Sequence, residues 1–139
     1  MINIRLFTPK DLPAIKKVLA EADLSYPNIE YRDFWVAEQD NQIVGVLQLE
    51  NKINYSFLSS LGVFTQNQNQ GIASKMLQNL MDNASKDVYL YTIIPRFFEK
   101  HGFKIALPPP FIPPRSRFDC MNCEREKCVC MVKKAKDKL

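Results

Sequence analysis

Residues 63–77 read Val63-Phe64-Thr65-Gln66-Asn67-Gln68-Asn69-Gln70-Gly71-Ile72-Ala73-Ser74-Lys75-Met76-Leu77. An apolar strand end runs into a polar loop without a bulky apolar side chain, and a helix follows whose first turn contains Gly71 and Ala73. A helix N-terminus leaves backbone N–H groups unpaired and carries a partial positive charge. Small residues there let an anion approach the backbone closely, as at pyrophosphate sites. Many strand-loop-helix units contain a glycine, so the flanking sequence has to decide what this one does.

Upstream, Ile2, Ile4 and Leu6 alternate with polar residues as in a half-buried strand. Thr8-Pro9-Lys10-Asp11 supplies a cap, a proline at the first helical position and an acid in the first turn. Leu12, Ile15, Val18, Leu19 and Ala22 then recur at helical spacing, which predicts a helix over 9–22. Ser25-Tyr26-Pro27-Asn28 breaks it, and a short helix or turn is expected over 29–33. Phe34–Ala37 and Ile43–Leu47 flank the turn signal Asp40-Asn41 and form a hairpin, followed by a strand over 54–64. Downstream, a helix over 71–84 presents Ile72, Met76, Leu77, Leu80 and Met81 on one side. Val88–Tyr91 reads as a short buried strand, Pro95–His101 as a short helix, and Phe103-Lys104-Ile105 as the start of a last strand. The order predicts an α/β (α+β) domain: a mixed, mostly antiparallel sheet flanked by helices. Five of the nine prolines lie between Pro108 and Pro114. They divide a core over residues 1–107 from a tail over 108–139.

Two patterns now coincide. Gln68-Asn69-Gln70-Gly71-Ile72-Ala73 matches Gln/Arg-x-x-Gly-x-Gly/Ala, the coenzyme A signature of the GNAT superfamily of N-acetyltransferases. Phe97-Phe98-Glu99-Lys100-His101-Gly102-Phe103 resembles that family's Phe-Tyr-Glu-Lys-x-Gly-Phe, one helix and one strand later. The chain thus resembles a GNAT acetyltransferase over residues 2–107. The resemblance implies that the backbone of Gln68, Asn69, Gln70, Gly71, Ile72 and Ala73, with the Ser74 hydroxyl, holds the pyrophosphate of acetyl-CoA. It implies that strand 58–63 splays from strand 88–92 with pantetheine in the gap, and that a bulge turns the amide of Leu61 or Val63 toward the thioester carbonyl. That amide would stabilise the oxyanion while an amine attacks directly.

Phe98 stands where many members have a tyrosine that protonates the departing thiolate. A phenyl ring donates no proton, so the task passes to Tyr91, to Tyr89, to a water, or to nothing, a thiolate being a tolerable leaving group. Glu50, at the end of the third strand, is the first candidate for the base that deprotonates the ammonium, and a solvated strand-end carboxylate is its plain alternative. Glu38 is a weaker candidate on the hairpin, and His101, the single histidine, reads as a helix cap. Trp35 reads as core.

The last third is similar to short amino-acid-acetylating members, N-acetylglutamate synthase-like proteins among them, in Tyr91–Phe98, Leu107-Pro108, Cys120-Met121-Asn122-Cys123 and Met131. The expected acceptor is therefore a small-molecule amine, an amino acid such as glutamate. A protein N-terminus and an inactive acyl-CoA-sensing module are the alternatives. Arg5, Arg32 and Arg96 are available for a substrate carboxylate, and surface solvation explains each as well.

Residues 1–114 carry 11 basic and 11 acidic side chains, whereas 115–139 carry 8 and 4, so the whole excess of +4 lies in the tail. A solvated tail accounts for that charge better than nucleic acid does. The four cysteines, Cys120, Cys123, Cys128 and Cys130, also lie there. Four thiolates suffice for a structural zinc clamp, disulfides and free thiols being the alternatives. With no membrane-spanning run and no secretory leader pattern, a cytoplasmic protein is expected, and a homodimer is compatible with this reading.

Overall fold

The computed structural model describes residues 2–22, 24–26, 28–82, 84–118 and 127–135. Among them the elements are β1 (Asn3–Leu6), a 3-10 turn (Pro9–Asp11) continuing into α1 (Leu12–Glu21), β2 (Phe34–Gln39), β3 (Gln42–Asn51) and β4 (Tyr55–Val63). They continue with α2 (Ile72–Asp82), β5 (Asp87–Thr92), α3 (Pro95–Glu99), β6 (Lys104–Ile105) and β7 (Val129–Lys133). The strands form one sheet in the order β1-β2-β3-β4-β5-β7-β6. Every neighbouring pair is antiparallel except β4 and β5, so the expected mixed α/β sheet is what the chain builds. No described helix is long and apolar enough to cross a membrane.

The first helix starts where the caps predicted. The Thr8 N–H donates to the Asp11 carboxylate at 2.8 Å, and Arg5 of β1 donates to the same carboxylate at 2.8 and 3.1 Å. The segment 29–33 forms no helix. Instead the carbonyls of Glu30 and Arg32 accept from the buried Gln48 amide at 2.8 and 3.0 Å, which ties the connection to β3.

Two apolar layers sandwich the sheet, set by strand alternation. On one face α1 packs Ile15, Val18 and Leu19 onto Phe34, Val36 and Val46. On the other, α2 packs Ile72, Met76, Leu77 and Leu80 onto Ala37, Leu47, Leu58, Val63 and Leu90. The α1 face extends over β5 and β7 as a third cluster, where Ile112 of the proline-rich stretch covers Phe57, Tyr89, Cys130 and Val132.

β7 has no counterpart in the sequence reading, which ends its strands at Ile105. It lies between β5 and β6, with Leu90 opposite Met131 and Ile105 opposite Met131 on its other edge. Its pattern was legible as alternation, since Cys130 and Val132 face one side and Met131 the other.

Candidate active site

The site originates in a divergence of two strands. β4 and β5 pair over only three positions, Tyr55–Asp87, Ser56–Val88 and Phe57–Tyr89. Beyond them the strands separate, and a cleft of about 900 Å³ opens. β4 also carries a bulge: Leu58 lies opposite Leu49 but Ser60 opposite Gln48, leaving Ser59 as the extra residue.

The bulge decides where the β4 amides point. The Phe64 N–H donates to the Val44 carbonyl at 3.0 Å, so in this register Phe64, Gly62 and Ser60 bond toward β3. Leu61 and Val63 therefore turn their peptide groups the other way, into the gap. The Val63 carbonyl, so turned, accepts from the Gln68 side chain at 3.2 Å.

At one end of the cleft stands the polar loop. Asn67, Gln68, Asn69, Gly71, Ile72, Ala73 and Ser74 line it, whereas Gln70 is exposed and does not. Gly71 has φ +77°, which an L side chain rarely adopts, and a Cβ there would meet no protein atom within 4 Å. The side-chain Oδ1 of Asn67 is buried without a partner among the described residues. The loop is held from behind by Glu21 of α1, which accepts from the Thr65 N–H at 2.6 Å. A glycine at positive φ that faces open space just before an eleven-residue helix fits a phosphate group.

The middle of the cleft is apolar. Leu58, Leu61, Leu90, Ile93, Ile94, Phe97 and Phe98 line it, and Lys100 stands at its edge. Phe98 is buried against Phe103, with ring centres 5.7 Å apart, and supplies no proton. Of the two tyrosines considered as acids, Tyr91 lines the cleft and Tyr89 lies in the apolar cluster behind it. The Tyr91 hydroxyl donates to the Pro113 carbonyl at 2.6 Å, and burial raises its pKa, so it is protonated at neutral pH.

The far end of the cleft is polar. Tyr26 and Ser59 line it, and both donate to the side-chain Oε1 of Gln48, at 3.4 and 2.9 Å. Ser60 also lines it, buried, with a hydroxyl that has no partner among the described residues. Arg117 stands 6.0 Å from the centre of the Tyr26 ring, and Arg115 stands 5.5 Å from that of Tyr91.

Glu50 is set one layer behind this wall. It is 2% exposed and bound to Arg117 at 2.7 Å and to Lys52 at 3.8 Å. The solvated strand-end alternative is therefore excluded: Glu50 is a buried, ion-paired carboxylate. Glu38 is not on the cleft, its carboxylate accepting from Arg5 at 3.3 Å. The three arginines reserved for a substrate carboxylate also lie elsewhere. Arg5 serves Asp11 and Glu38, Arg32 pairs with Glu30 on the surface at 3.0 Å, and Arg96 is exposed on α3. The cations nearest this end are Arg115 and Arg117, which contact the rings of Tyr91 and Tyr26; the signal available in the sequence was a pair of cations directly after the proline run.

Of the thiols, Cys120 and Cys123 lie outside the described residues. Cys128 lines the cleft, and Cys130 is 1% exposed among Phe57, Tyr89, Ile112 and Val132, where burial raises its pKa. Among the described residues no group of three or more metal-ligating side chains occurs.

The chain covers 99% of itself on 36% of N-acetylglutamate synthase from Neisseria gonorrhoeae, solved with coenzyme A and N-acetylglutamate, at TM-score 0.76 and 19% identity. It thus spans little more than a third of that enzyme. It matches ribosomal-protein-S18-alanine N-acetyltransferase from Escherichia coli over 100% of this chain and 97% of that one, at TM-score 0.76 and 16% identity. Arabidopsis thaliana Naa50, solved with the bisubstrate analogue CoA-Ac-MVNAL, matches over 96% and 98% at TM-score 0.65 and 20% identity. Identities this low establish likeness of fold. No curated protein matches the sequence. The model of the acetyltransferase (GNAT) domain matches residues 30–105, more than half of the chain, and with the splayed strands and glycine loop in place the chain belongs to the GNAT acetyltransferase family.

Proposed function

We propose that the protein transfers an acetyl group from acetyl-CoA directly to the primary amine of an amino acid in the cytoplasm. The observation that carries the acceptor class is the pair of cations next to the polar end of the cleft, Arg115 over the ring of Tyr91 and Arg117 over the ring of Tyr26, both tyrosines lining it. With Lys52 they outnumber the one carboxylate, Glu50. A surplus of cations disfavours a simple amine and favours one that also bears a carboxylate, as glutamate does.

In this reading the backbone of residues 68–73 and the Ser74 hydroxyl hold the pyrophosphate, and the apolar middle takes pantetheine. The Leu61 or Val63 amide meets the thioester carbonyl and stabilises the oxyanion as the amine attacks. The C–N bond forms, the C–S bond breaks, and the electron pair leaves with sulfur. Glu50 would take the ammonium proton across one water, since it does not itself line the cleft. Tyr91, protonated and on the cleft wall, would exchange Pro113 for the thiolate to serve as acid.

The test is release of free coenzyme A from acetyl-CoA across amino acids, polyamines and N-terminal peptides. Turnover with a carboxylate-bearing amino acid supports the reading. Turnover with peptides alone replaces it by protein acetylation, and silence despite acetyl-CoA binding replaces it by a sensing module. A zinc clamp on the four cysteines would have to bring the metal to Cys130 inside its apolar cluster. Metal analysis of protein purified without chelator decides that.

A further inference from the structure

The reaction described above leaves His101, the chain's single histidine, without a task. It follows α3, its backbone N–H donating to the Phe98 carbonyl at 2.9 Å. The ring packs on Phe97 with centres 5.3 Å apart, and its Nε2 lies 3.3 Å from the Ser74 hydroxyl. Ser74 belongs to the first turn of α2 and lines the cleft beside Gly71 and Ala73. The charged groups acting on the ring are Lys133 of β7 and the adjacent Lys100, while α2 offers the uncharged Ser74. Burial first, and then these two lysines, hold the imidazole below its ordinary pKa, so it is mostly neutral at pH 7.

The Ser74 contact has two forms, because a hydroxyl has one proton. With Nε2 bare, Ser74 donates to the ring and turns its proton away from the cleft. With a proton on Nε2, in the imidazolium or in the neutral Nε2–H tautomer, the ring donates to Ser74 Oγ, and the hydroxyl proton is released toward whatever occupies the loop. An anion at the start of α2 favours the second form. It also offsets the repulsion of Lys133 and Lys100 on a charged ring.

We propose that His101 is a positioning residue for the cofactor's pyrophosphate: binding draws one proton from solvent onto the imidazole, which then holds the Ser74 hydroxyl as a donor to phosphate. Coenzyme A affinity is thereby coupled to pH through the His101–Ser74 pair. The inference rests on the cleft being the coenzyme A site. Its sign follows from linkage. The charged ring binds cofactor more tightly, so affinity is highest below the pKa of the free protein. It falls as pH rises through the window up to the pKa of the complex.

A single histidine makes the test direct, because untagged protein gives one pair of imidazole proton resonances. Its titration is followed free, with coenzyme A, with dephospho-coenzyme A and with pantetheine. The expected result is a pKa raised by roughly one unit with either nucleotide and unmoved with pantetheine. Affinity for dephospho-coenzyme A should then fall about tenfold across the window. Dephospho-coenzyme A matters because the 3′-phosphate of coenzyme A itself titrates near pH 6. His101→Gln, which keeps a donor but cannot titrate, should flatten the pH dependence. An unmoved imidazole in the presence of detectable binding overturns the proposal, as does a shift seen with coenzyme A but not with the dephospho form. If coenzyme A does not bind at all, the reading of the cleft fails instead.

Discussion

Gly71→Ala separates what the backbone requires at the loop from what the ligand requires. Gly71 sits at φ +77°, and a Cβ there meets nothing within 4 Å. The free protein therefore loses stability only through the left-handed conformation, about 1–2 kcal/mol. In a domain of this size that lowers Tm by roughly 3–8 °C. The strain is present with and without cofactor, so it cancels in the dissociation constant. Any loss of affinity then reports the space in front of the glycine. A methyl group between a phosphate oxygen and the amides of residues 71–73 should weaken acetyl-CoA at least about tenfold, or about 1.4 kcal/mol. Gly102→Ala is the matched control: φ is +89°, and its Cβ meets the Lys133 side chain at 3.6 Å, not the cleft. It should lose similar stability with a far smaller change in affinity. Thermal melts give the first quantity and calorimetric titration with acetyl-CoA the second. If Gly71→Ala binds acetyl-CoA as tightly as the parent, the phosphate does not lie against this loop.

Three further outcomes follow from named contacts. Glu50→Gln should lower kcat on the acceptor about a hundredfold while leaving the acetyl-CoA dissociation constant unmoved; unchanged kcat would place the base elsewhere. Arg117→Gln removes the partner 2.7 Å from a carboxylate that is 2% exposed, leaving Lys52 at 3.8 Å. Urea unfolding should show a loss of about 2–4 kcal/mol, largely recovered in the double variant with Glu50→Gln; strict additivity would mean that the pair is not coupled. Arg5 holds the Asp11 carboxyl at about 2, below its ordinary 3.8, so that stabilisation is present above pH 4 and lost as pH falls toward 2. Asp11→Asn should therefore cost about 1–2 kcal/mol at neutral pH, with the gap closing over that acid window, as thermal melts across pH would register.

The sequence by itself determined the elements whose information is local. The cap at Thr8–Asp11, the helical spacing of α1 and α2, the hairpin at Asp40-Asn41 and the glycine loop all depend on residues a few positions apart. Period, cap and turn chemistry are legible at that range. The resemblance to GNAT enzymes rests on the same kind of signal, two short motifs, each within one strand-loop-helix or helix-turn segment.

Only the tertiary structure decided the acceptor end. Whether Glu50 meets water or Arg117 depends on where residues 108–118 return across β4 and β5, a separation of 67 residues at the ion pair. No local pattern encodes that distance. The same return sets Arg115 against Tyr91 and Arg117 against Tyr26, and β7 lies between β5 and β6. The direction of the Leu61 and Val63 amides likewise follows from Ser59 as a bulge, and so from the pairing of β4 with β3. A strand sequence specifies which residues alternate, but its register is fixed by the partner it pairs with, and a one-residue slip reverses every peptide group beyond it.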